Sequence, residues 1–441
     1  MRLPERPPLI PKGFDFTKLL TTLAEIGRID EFNFIASDKY YYYDKWKYRA
    51  KEWGIDPKLL WGAVKIYRRF SNKKMAIGGL RELEFFISFP SLVQEYLHEF
   101  DMNLGGSLQG EMIIPREDRD RYLISSLMEE AIASSQLEGA ATTRKVAKQM
   151  LESNRKPKNQ AEQMIVNNYN AMQWIVRNKK IPITLSNIKH LHAILTKSTM
   201  ADVNEEGAFR TDDDVKVVDV QTGTAIYTPP KAEDLDRLMA AFCDFANDRE
   251  TYGFFLHPIV KAIIIHFLVG YIHPFADGNG RTARTIFYWY LLKHGYWLIE
   301  FMSVSRIILS SKAQYSRAYL HTEQDDNDLT YFLNYNLKCI RWALVDLKLY
   351  IKKKSEEKQH AMSMLRSTTL NERQIVLVQE VLRTPTAYFT VKQVEIKFGI
   401  SNQTARNDLN GLVNEGLFEE RRLGKKSQYL PVKEFEKKIV S

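Results

Sequence analysis

The stretch HPFADGNGRTAR, residues 273–284, places a histidine, an aspartate, an asparagine, two glycines and two arginines within one short segment. An apolar run, KAIIIHFLVGYI (261–272), precedes it, and an aromatic-rich run, RTIFYWYLLKHG (284–295), follows it. Pro274 disfavours continuation of a helix from the first run, and Gly295 is a typical end for a helix over the second. The pattern therefore predicts a polar loop between two buried helices.

The position of this loop favours anion binding. It precedes the N-terminus of the second helix, where unpaired backbone N–H groups carry partial positive charge. Gly278 and Gly280 let a ligand approach the backbone closely, and Asn279 offers a side-chain donor. Arg281 and Arg284 lie on one helical face because they are spaced i, i+3, so that both can bind phosphates.

Two further side chains add chemistry to the loop. Asp277, beside a polyphosphate, suits a magnesium ion, and His273 can accept a proton near neutral pH. The set predicts a nucleotide site for phosphoryl-type chemistry, without the Walker pattern of P-loop NTPases. A tight Asp-Gly-Asn-Gly turn with an incidental histidine is the simpler interpretation, and it accounts for fewer of these residues.

The same twelve residues resemble the Fic motif, H-x-F-x-(D/E)-G-N-G-R-x-x-R, at every defined position. The resemblance extends over about residues 118–345. GAFRTDDDVKVVDV followed by YTPP resembles the region of the flap, the hairpin that holds the target, and residues 305–337 resemble the helices after the Fic core. It implies a mainly α fold with a Fic-type helical core and a short β-hairpin flap.

The resemblance also implies a reaction, the transfer of AMP from ATP to a Ser, Thr or Tyr hydroxyl of a protein or of the chain itself. His273 would deprotonate the attacking hydroxyl, and Asp277 would hold Mg²⁺ between the α and β phosphates. The phosphates would lie against Gly278, Asn279, Gly280, Arg281 and Arg284.

A second stretch, ASSQLEGA (133–140), resembles the inhibitory motif of Fic proteins, (S/T)-x-x-x-E-(G/N), through Ser134, Glu138 and Gly139. The resemblance implies that Glu138 pairs with Arg284, so that Arg284 cannot hold the γ phosphate of ATP. Taken alone, the pattern is that of a surface glutamate at a helix end followed by a glycine cap.

The predicted flap covers about residues 215–228. Its second strand, with Thr224, Ala225, Ile226 and Tyr227, can present an edge with which an extended target pairs through main-chain hydrogen bonds. An ordinary hairpin is the equally weighted alternative.

The C-terminal segment has the element order of a winged helix-turn-helix. A helix over 391–398, a turn at Gly399, a helix that begins at Ser401 and two strands around a basic turn follow one another. Duplex DNA is one predicted partner, and protein binding or dimerisation is the alternative. The residues that would contact DNA are Gln403, Thr404, Arg406, Arg421, Arg422 and Lys425.

The 441 residues are therefore divided into a helical N-terminal extension (1–110), the Fic core (111–350), a linker or helix (351–365) and the winged helix (366–441). The inhibitory helix is placed at about 125–140. A homo-oligomer is left open.

Composition narrows the class of protein. Two distant cysteines, Cys243 and Cys339, exclude a disulfide framework and a CxxC metal site. The N-terminal residues lack the apolar segment of a signal peptide, and the longest apolar run is too short to span a membrane. We expect a cytoplasmic protein. The net charge of +9 permits contact with nucleotides or nucleic acid.

The leading interpretation is an autoinhibited Fic adenylyltransferase. Within the enzymes, the alternatives are a Fic transferase with another donor or an enzyme that removes AMP. Outside them, the alternative is a DNA-binding regulator whose Fic core senses a nucleotide.

Overall fold

Helices dominate the computed structural model, and the prediction of a mainly α fold is confirmed. The structure describes residues 3–105, 119–218, 223, 225–365, 370–383, 387–423 and 426–433. Contacts divide the chain into two units. The core unit comprises Met1–Gly110 and Leu123–Leu344, and the C-terminal unit comprises Glu111–Tyr122 and Val345–Ser441.

The α-helices before residue 366 are α1 (Phe16–Glu25), α2 (Ile29–Phe34), α3 (Tyr43–Glu52), α4 (Pro57–Ser71), α5 (Ser91–Leu104), α6 (Arg119–Leu137), α7 (Arg144–Glu152), α8 (Gln160–Arg177), α9 (Leu185–Thr196), α10 (Leu235–Ala246), α11 (Pro258–Ile272), α12 (Asn279–Lys293), α13 (Val304–Ser310), α14 (Lys312–Gln324) and α15 (Thr330–Leu365). Shorter 3₁₀ or π turns cover Ile35–Lys39, Ile77–Gly79, Arg81–Leu83, Val203–Glu205, Ala232–Asp234 and Trp297–Phe301. Two antiparallel pairs, β1 (Lys73–Ala76) with β2 (Glu84–Ile87) and β3 (Val217–Val218) with β4 (Ala225–Tyr227), complete this part. Residues 351–365, considered as a linker or a helix, are the end of α15.

The centre of the core unit is the pair α11 and α12. His257 caps α11 by accepting the N–H of Ile259 at 3.2 Å, and Pro258 occupies the first helical position, where no N–H is needed. Both helices are buried on almost every face, as expected of helices that are apolar or aromatic all round. The loop between them is therefore held at both ends by the most buried part of the fold.

The N-terminal extension contains strands that helical periodicity did not predict. β1 pairs with β2 in register from Lys73↔Ile87 to Ala76↔Glu84. Phe85 and Ile87 alternate inward, which is a strand pattern, and the Phe85 ring lies 5.4 Å from Tyr271 of α11. The prediction of a helical N-terminal extension did not include these two strands, because an alternation over four residues is too short to stand out from the helical pattern around it.

The C-terminal unit contains α16 (Glu372–Arg383), α17 (Val391–Phe398), α18 (Asn402–Asn414), β5 (Phe418–Leu423) and β6 (Lys426–Pro431). Thr390 and Gln393 form a capping box at α17, Gly399 ends that helix with φ +62°, and Ser401 caps α18. The buried side chains of Leu377, Val394, Leu409, Phe418 and Tyr429 form its core. This is the predicted winged helix-turn-helix.

One negative finding concerns membranes. Across the residues that the structure describes, no helix combines the length and the apolar character needed to cross a bilayer.

Candidate active site

His192 of α9 holds the loop through a hydrogen bond and a ring stack. Its Nδ1 accepts the N–H of Gly207 at 3.0 Å, so its Nε2 carries the proton and donates to the carbonyl of Asp277 at 2.8 Å. Its ring stacks on Phe275 at 3.7 Å between centroids. Burial lowers the pKa of His192 to about 4, which keeps the ring neutral. Sequence reasoning missed this residue, since a histidine on a helical face carries no signal of its own.

Asn279 closes the loop rather than facing a ligand with its side chain. The amide nitrogen donates to the carbonyl of Phe275 at 2.7 Å, and the amide oxygen accepts the Phe275 N–H at 3.0 Å. The helical ladder of α12 then starts with the N–H of Thr282 bonded to Gly278 O. The N–H groups of the first turn therefore precede this ladder, as in a helix N-terminus that binds anions.

His273 ends α11 in a left-handed conformation, with φ +51°, which is uncommon for a residue other than glycine. Its Nδ1 lies 3.1 Å from the carbonyl of Gly270 and can only donate to it, so Nε2 is the basic nitrogen. Burial lowers the pKa of His273 below its usual value, with the charge of Arg210 acting in the same direction. The ring is thus a neutral base at pH 7.

Arg281 is fully buried and only partly satisfied. Its Nη1 donates to the carbonyl of Leu195 at 2.7 Å, whereas Nε and Nη2 have no hydrogen-bond partner among the described residues. Nη2 lies 3.7 Å from Asp277 Oδ2. Burial lowers the pKa of Arg281 below its usual value, as for a cation short of compensating charge. Such unpaired buried donors are costly unless an anion completes them.

Arg284 donates three hydrogen bonds to the predicted inhibitory segment. Its Nε donates to Ser134 Oγ at 2.9 Å, and Nη2 donates to the carbonyl of Ser134 at 2.9 Å and to Glu138 Oε1 at 2.8 Å. Burial opposes ionisation of Glu138, but the charge and hydrogen bond of Arg284, together with the charges of Arg281 and Lys312, outweigh it and lower the pKa of the carboxyl below its usual value. The structure therefore brings Ser134, Glu138 and Arg284 together as a charge-assisted cluster, in which Ser134 and Arg284 are buried and the Glu138 side chain is 32% exposed.

Gly280 explains how Glu138 reaches this position. A methyl group on Gly280 would overlap the Glu138 carboxylate, so the missing side chain leaves the space that the carboxylate fills. Glu138 consequently lies against the first turn of α12, where a phosphate would also lie. Gly139, with φ +93°, follows as the turn residue after α6.

The helix that ends just before Glu138, α6, is held by a buried carboxylate. Glu130 accepts hydrogen bonds from Tyr288 Oη at 2.8 Å, Ser303 Oγ at 3.0 Å and the N–H of Ser305 at 3.0 Å. At the C-terminal end of α6, Lys312 Nζ donates to the carbonyl of Leu137 at 2.7 Å. The position of Glu138 is thus set by contacts of the C-terminal half of this helix.

The carboxylate of Asp277 is the one acidic group of the loop. Its side chain is 65% exposed, and Oδ1 accepts the N–H of Gly278 at 2.6 Å. Among the described residues, no group of three His, Cys, Asp or Glu side chains converges. A single exposed carboxylate fits Mg²⁺ that arrives with a nucleotide, because Mg²⁺ is usually held by one or two carboxylates, substrate phosphates and waters.

Arg210 joins the two segments that flank the flap to the loop. Its N–H donates to Pro274 O at 2.9 Å and its Nε to His273 O at 3.0 Å, while the guanidinium also bonds the carbonyls of Asp212 and Pro230. The sequence places this segment in the flap region but does not point to Arg210. The partners of Arg210 are backbone carbonyls, which no sequence motif encodes.

We expect Arg210→Ala to lower the free energy of unfolding of the core unit by about 2–4 kcal/mol, because the three carbonyls bonded by the buried guanidinium would lose their donor. Arg210→Lys should rescue little, since one ammonium cannot reproduce a planar fork. Denaturant unfolding measures both. The control is Arg249→Ala, whose side chain is 67% exposed and pairs only with Asp244 among the described contacts. Equal effects of the two alanine variants would contradict the role given to Arg210.

The flap itself is the β3–β4 hairpin, with Val217↔Tyr227 and Val218↔Ala225 as partners. Ala225 is exposed and Ile226 half-buried. Tyr227 Oη donates to Tyr271 O at 2.8 Å, which ties β4 to the end of α11. Thr224 lies outside the described residues.

The predicted DNA contacts lie on α18 and the β5–β6 hairpin. Gln403 and Arg406 are exposed, as are Arg421 and Arg422. Thr404 instead takes part in the cap, with its Oγ1 2.9 Å from Ser401 Oγ. Arg421 pairs with Glu419 at 2.6 Å. Lys425 lies outside the described residues.

Two family models match the chain. The Fic/DOC family matches residues 182–291, a range that includes His192, Arg210 and the whole loop. The DeoR-like helix-turn-helix domain matches residues 373–425.

Similar proteins are also known. The protein adenylyltransferase Fic of Drosophila willistoni is 28% identical over 212 residues, which cover 47% of this chain and 38% of that protein. That of Nematostella vectensis is 43% identical over 70 residues, 16% of each chain. The matches thus span well under two thirds of these relatives. A Fic family protein from Desulfovibrio desulfuricans G20 superposes with a TM-score of 0.47 and 18% identity, covering 77% of this chain and 94% of the other. The two family models thus assign a Fic/DOC domain to residues 182–291 and a DeoR-like helix-turn-helix domain to residues 373–425 of this chain.

Proposed function

We propose that this chain is a protein adenylyltransferase, which transfers AMP from ATP to a Ser, Thr or Tyr hydroxyl of a target protein, and that Glu138 holds it inactive. One observation carries the proposal. His273, with its basic nitrogen, lies in the loop before α12, and Arg281, with its unpaired donors, lies in the first turn of that helix. Next to them is Arg284, whose guanidinium already binds a carboxylate.

The chemistry follows from these side chains. The target hydroxyl oxygen attacks the α phosphorus of ATP, its proton passes to Nε2 of His273, and the bond to pyrophosphate breaks. Arg281 and the first-turn N–H groups of α12 stabilise the negative charge of the phosphates, which is the main requirement of phosphoryl-type transfer. The hydrogen bond to Gly270 O and the contacts of Arg210 hold the imidazole and its backbone in place.

Asp277 is the residue that would hold Mg²⁺ on the nucleotide. The ion would supply charge neutralisation on the phosphates.

Autoinhibition follows from the position of Glu138. Both N–H groups of Arg284 Nη2 are already bonded, one to the carbonyl of Ser134 and one to the carboxylate of Glu138. Neither is left for a γ phosphate. The carboxylate also places a negative charge beside Gly280, where it repels a phosphate. ATP would bind in a pose that does not present its α phosphorus to His273.

The experiment compares two labels. Purified Glu138→Gly protein is incubated with Mg²⁺ and ATP labelled on either the α or the γ phosphorus, with a lysate as the source of targets. Label from α-labelled ATP alone on protein, including on the chain itself, supports AMP transfer. Label from the γ position would indicate phosphate transfer, and no label from either would contradict the proposal.

The activity should have an acid limb set by His273. A general base acts only when unprotonated, and burial lowers the pKa of His273 below 6.5. The charge of Glu138 raises the pKa of His273, so the Glu138→Gly substitution should lower this pKa further. We expect the rate of AMP transfer by Glu138→Gly to be constant near pH 7–8 and to fall only below about pH 6.5. Rates across this range, with circular dichroism as a check of folding, test it; a midpoint above pH 7 would contradict the assignment.

A second candidate function, duplex DNA binding, is favoured by one observation: the DeoR-like domain exposes Gln403 and Arg406 on its second motif helix. From 361 to 441 the sequence has 13 Lys and Arg against 9 Asp and Glu, a modest excess.

We expect Arg406→Ala to weaken binding to duplex DNA and, if Arg406 contacts a phosphate, to reduce the salt slope by about one. Fluorescence anisotropy over a salt series measures both quantities. Lys58→Ala, an exposed position in α4 of the core unit, is the control. Binding that is absent, or insensitive to salt, would exclude this candidate.

A further inference from the structure

A cavity of about 470 Å³ lies beside the flap and is open to solvent. One wall is β4 and its end, Ala225–Thr228, and another is Tyr271, Glu323, Gln324 and Asn327, with Arg6 and Pro7 at its border. We call it the flap cavity. Its volume is in the range of pockets that enclose a small ligand or a long side chain.

The flap cavity adjoins the candidate active site through Tyr271. Tyr271 lies two residues before His273, and its carbonyl accepts the hydrogen bond of Tyr227, so β4 borders the cavity and is tied to the catalytic loop. An extended target segment beside β4 advances about 3.3 Å per residue. Residues within a few positions of the modified hydroxyl are therefore within reach of the cavity.

Two amide side chains of the cavity wall have partners within the fold. Gln324 Oε1 accepts the hydroxyl of Tyr42 at 3.0 Å, and the Asn327 amide donates to Glu84 O at 3.4 Å. Glu323, in contrast, forms no ion pair or hydrogen bond with any described residue, and burial alone raises the pKa of its carboxyl to about 8. A half-buried carboxyl without a partner is expected to favour a cation, because a positive charge would offset its desolvation.

Arg6 is the cation that borders the cavity, and it does not neutralise Glu323. The Arg6 charge does not contribute to the pKa shift of Glu323, and no ion pair joins the two side chains. A cation that pairs with Glu323 would therefore come from outside these residues.

We propose that the flap cavity binds a lysine or arginine side chain of the target protein, close in sequence to the modified hydroxyl, with Glu323 as its counter-charge. The inference rests on the proposed function, because it describes the substrate of that reaction. It makes Glu323 a residue that determines specificity and not one that takes part in the chemistry.

The test uses two sets of short extended peptides with the full-length Glu138→Gly chain. In the first set, a central threonine is flanked by a single lysine at each position in turn, or by norleucine, which has a similar length and no charge. AMP transfer gives kcat/KM for each peptide. In the second set, valine replaces the threonine, and fluorescence anisotropy measures binding without any chemistry.

We expect one lysine position to raise both kcat/KM and affinity by about tenfold over norleucine, as for a partly buried charge pair. Glu323→Gln, which keeps the shape of the side chain, should reduce that ratio to about one. Glu233→Gln, an exposed glutamate near the flap, is the matched control and should keep the preference. Thermal unfolding of both variants checks that the fold is retained.

The outcomes separate the two proposals. A lysine preference in binding that is lost in Glu323→Gln upholds the cavity assignment, whether or not any peptide is labelled. If no peptide is labelled, the transferase proposal fails. Labelling without any lysine preference, or a preference that persists in Glu323→Gln, overturns the cavity assignment alone.

Discussion

Glu138→Gly is expected to increase AMP transfer to protein by about 10- to 100-fold over the wild-type chain. A hydrogen bond between charged groups contributes about 1.5–3 kcal/mol, and each 1.4 kcal/mol corresponds to a factor of ten. Removing the carboxylate breaks its bond to Arg284 Nη2 and removes a negative charge from the first turn of α12. Arg284 keeps its bonds to Ser134, so α6 and α12 should stay packed together.

Initial rates with α-labelled ATP, under identical magnesium and protein concentrations, measure this effect. The matched control is Glu152→Gly, which makes the same substitution at the end of α7, where Glu152 is 57% exposed and pairs with Lys148. That variant should transfer AMP at the wild-type rate. A Glu138→Gly rate no higher than that of Glu152→Gly would mean that Glu138 does not inhibit.

His273→Ala in the Glu138→Gly background is expected to lower the rate of AMP transfer by about 10²–10⁴-fold, the usual contribution of a positioned general base. The loss should appear in kcat, because the imidazole acts on the hydroxyl proton and not on the nucleotide. ATP binding, measured by calorimetry, should change little, since Arg281 and the N-terminus of α12 remain in place.

His98→Ala in the same background is the control, because His98 is an exposed histidine on α5. It should retain the full rate. A His273→Ala rate within a few-fold of the control would remove His273 from the mechanism and leave another group as the base.

The sequence alone predicted the features that depend on neighbouring residues. The Fic loop, the caps at Ser401 and Gly399 and the order of the winged helix all follow from local preferences of backbone and side chain. Local preferences did not predict β1 and β2, because an alternation over four residues is too short to stand out within a helical segment.

The pairing of Glu138 with Arg284 lies between these cases. The resemblance to an inhibitory motif suggested it, and residues 146 positions apart meet in the structure because α6 is held by Glu130 and Lys312. The absence of a side chain at Gly280 then makes room for the carboxylate.

Only the tertiary structure identified His192, Arg210 and Glu323. Each acts on groups distant in sequence: His192 and Arg210 bind backbone carbonyls of the loop, and Glu323 borders a cavity formed with the flap. The sequence therefore determined which residues can carry the chemistry, since that depends on side-chain type and local spacing. The structure decided which of them are buried, bonded or left without a partner, because burial and hydrogen bonding depend on the packing of segments that the sequence keeps far apart.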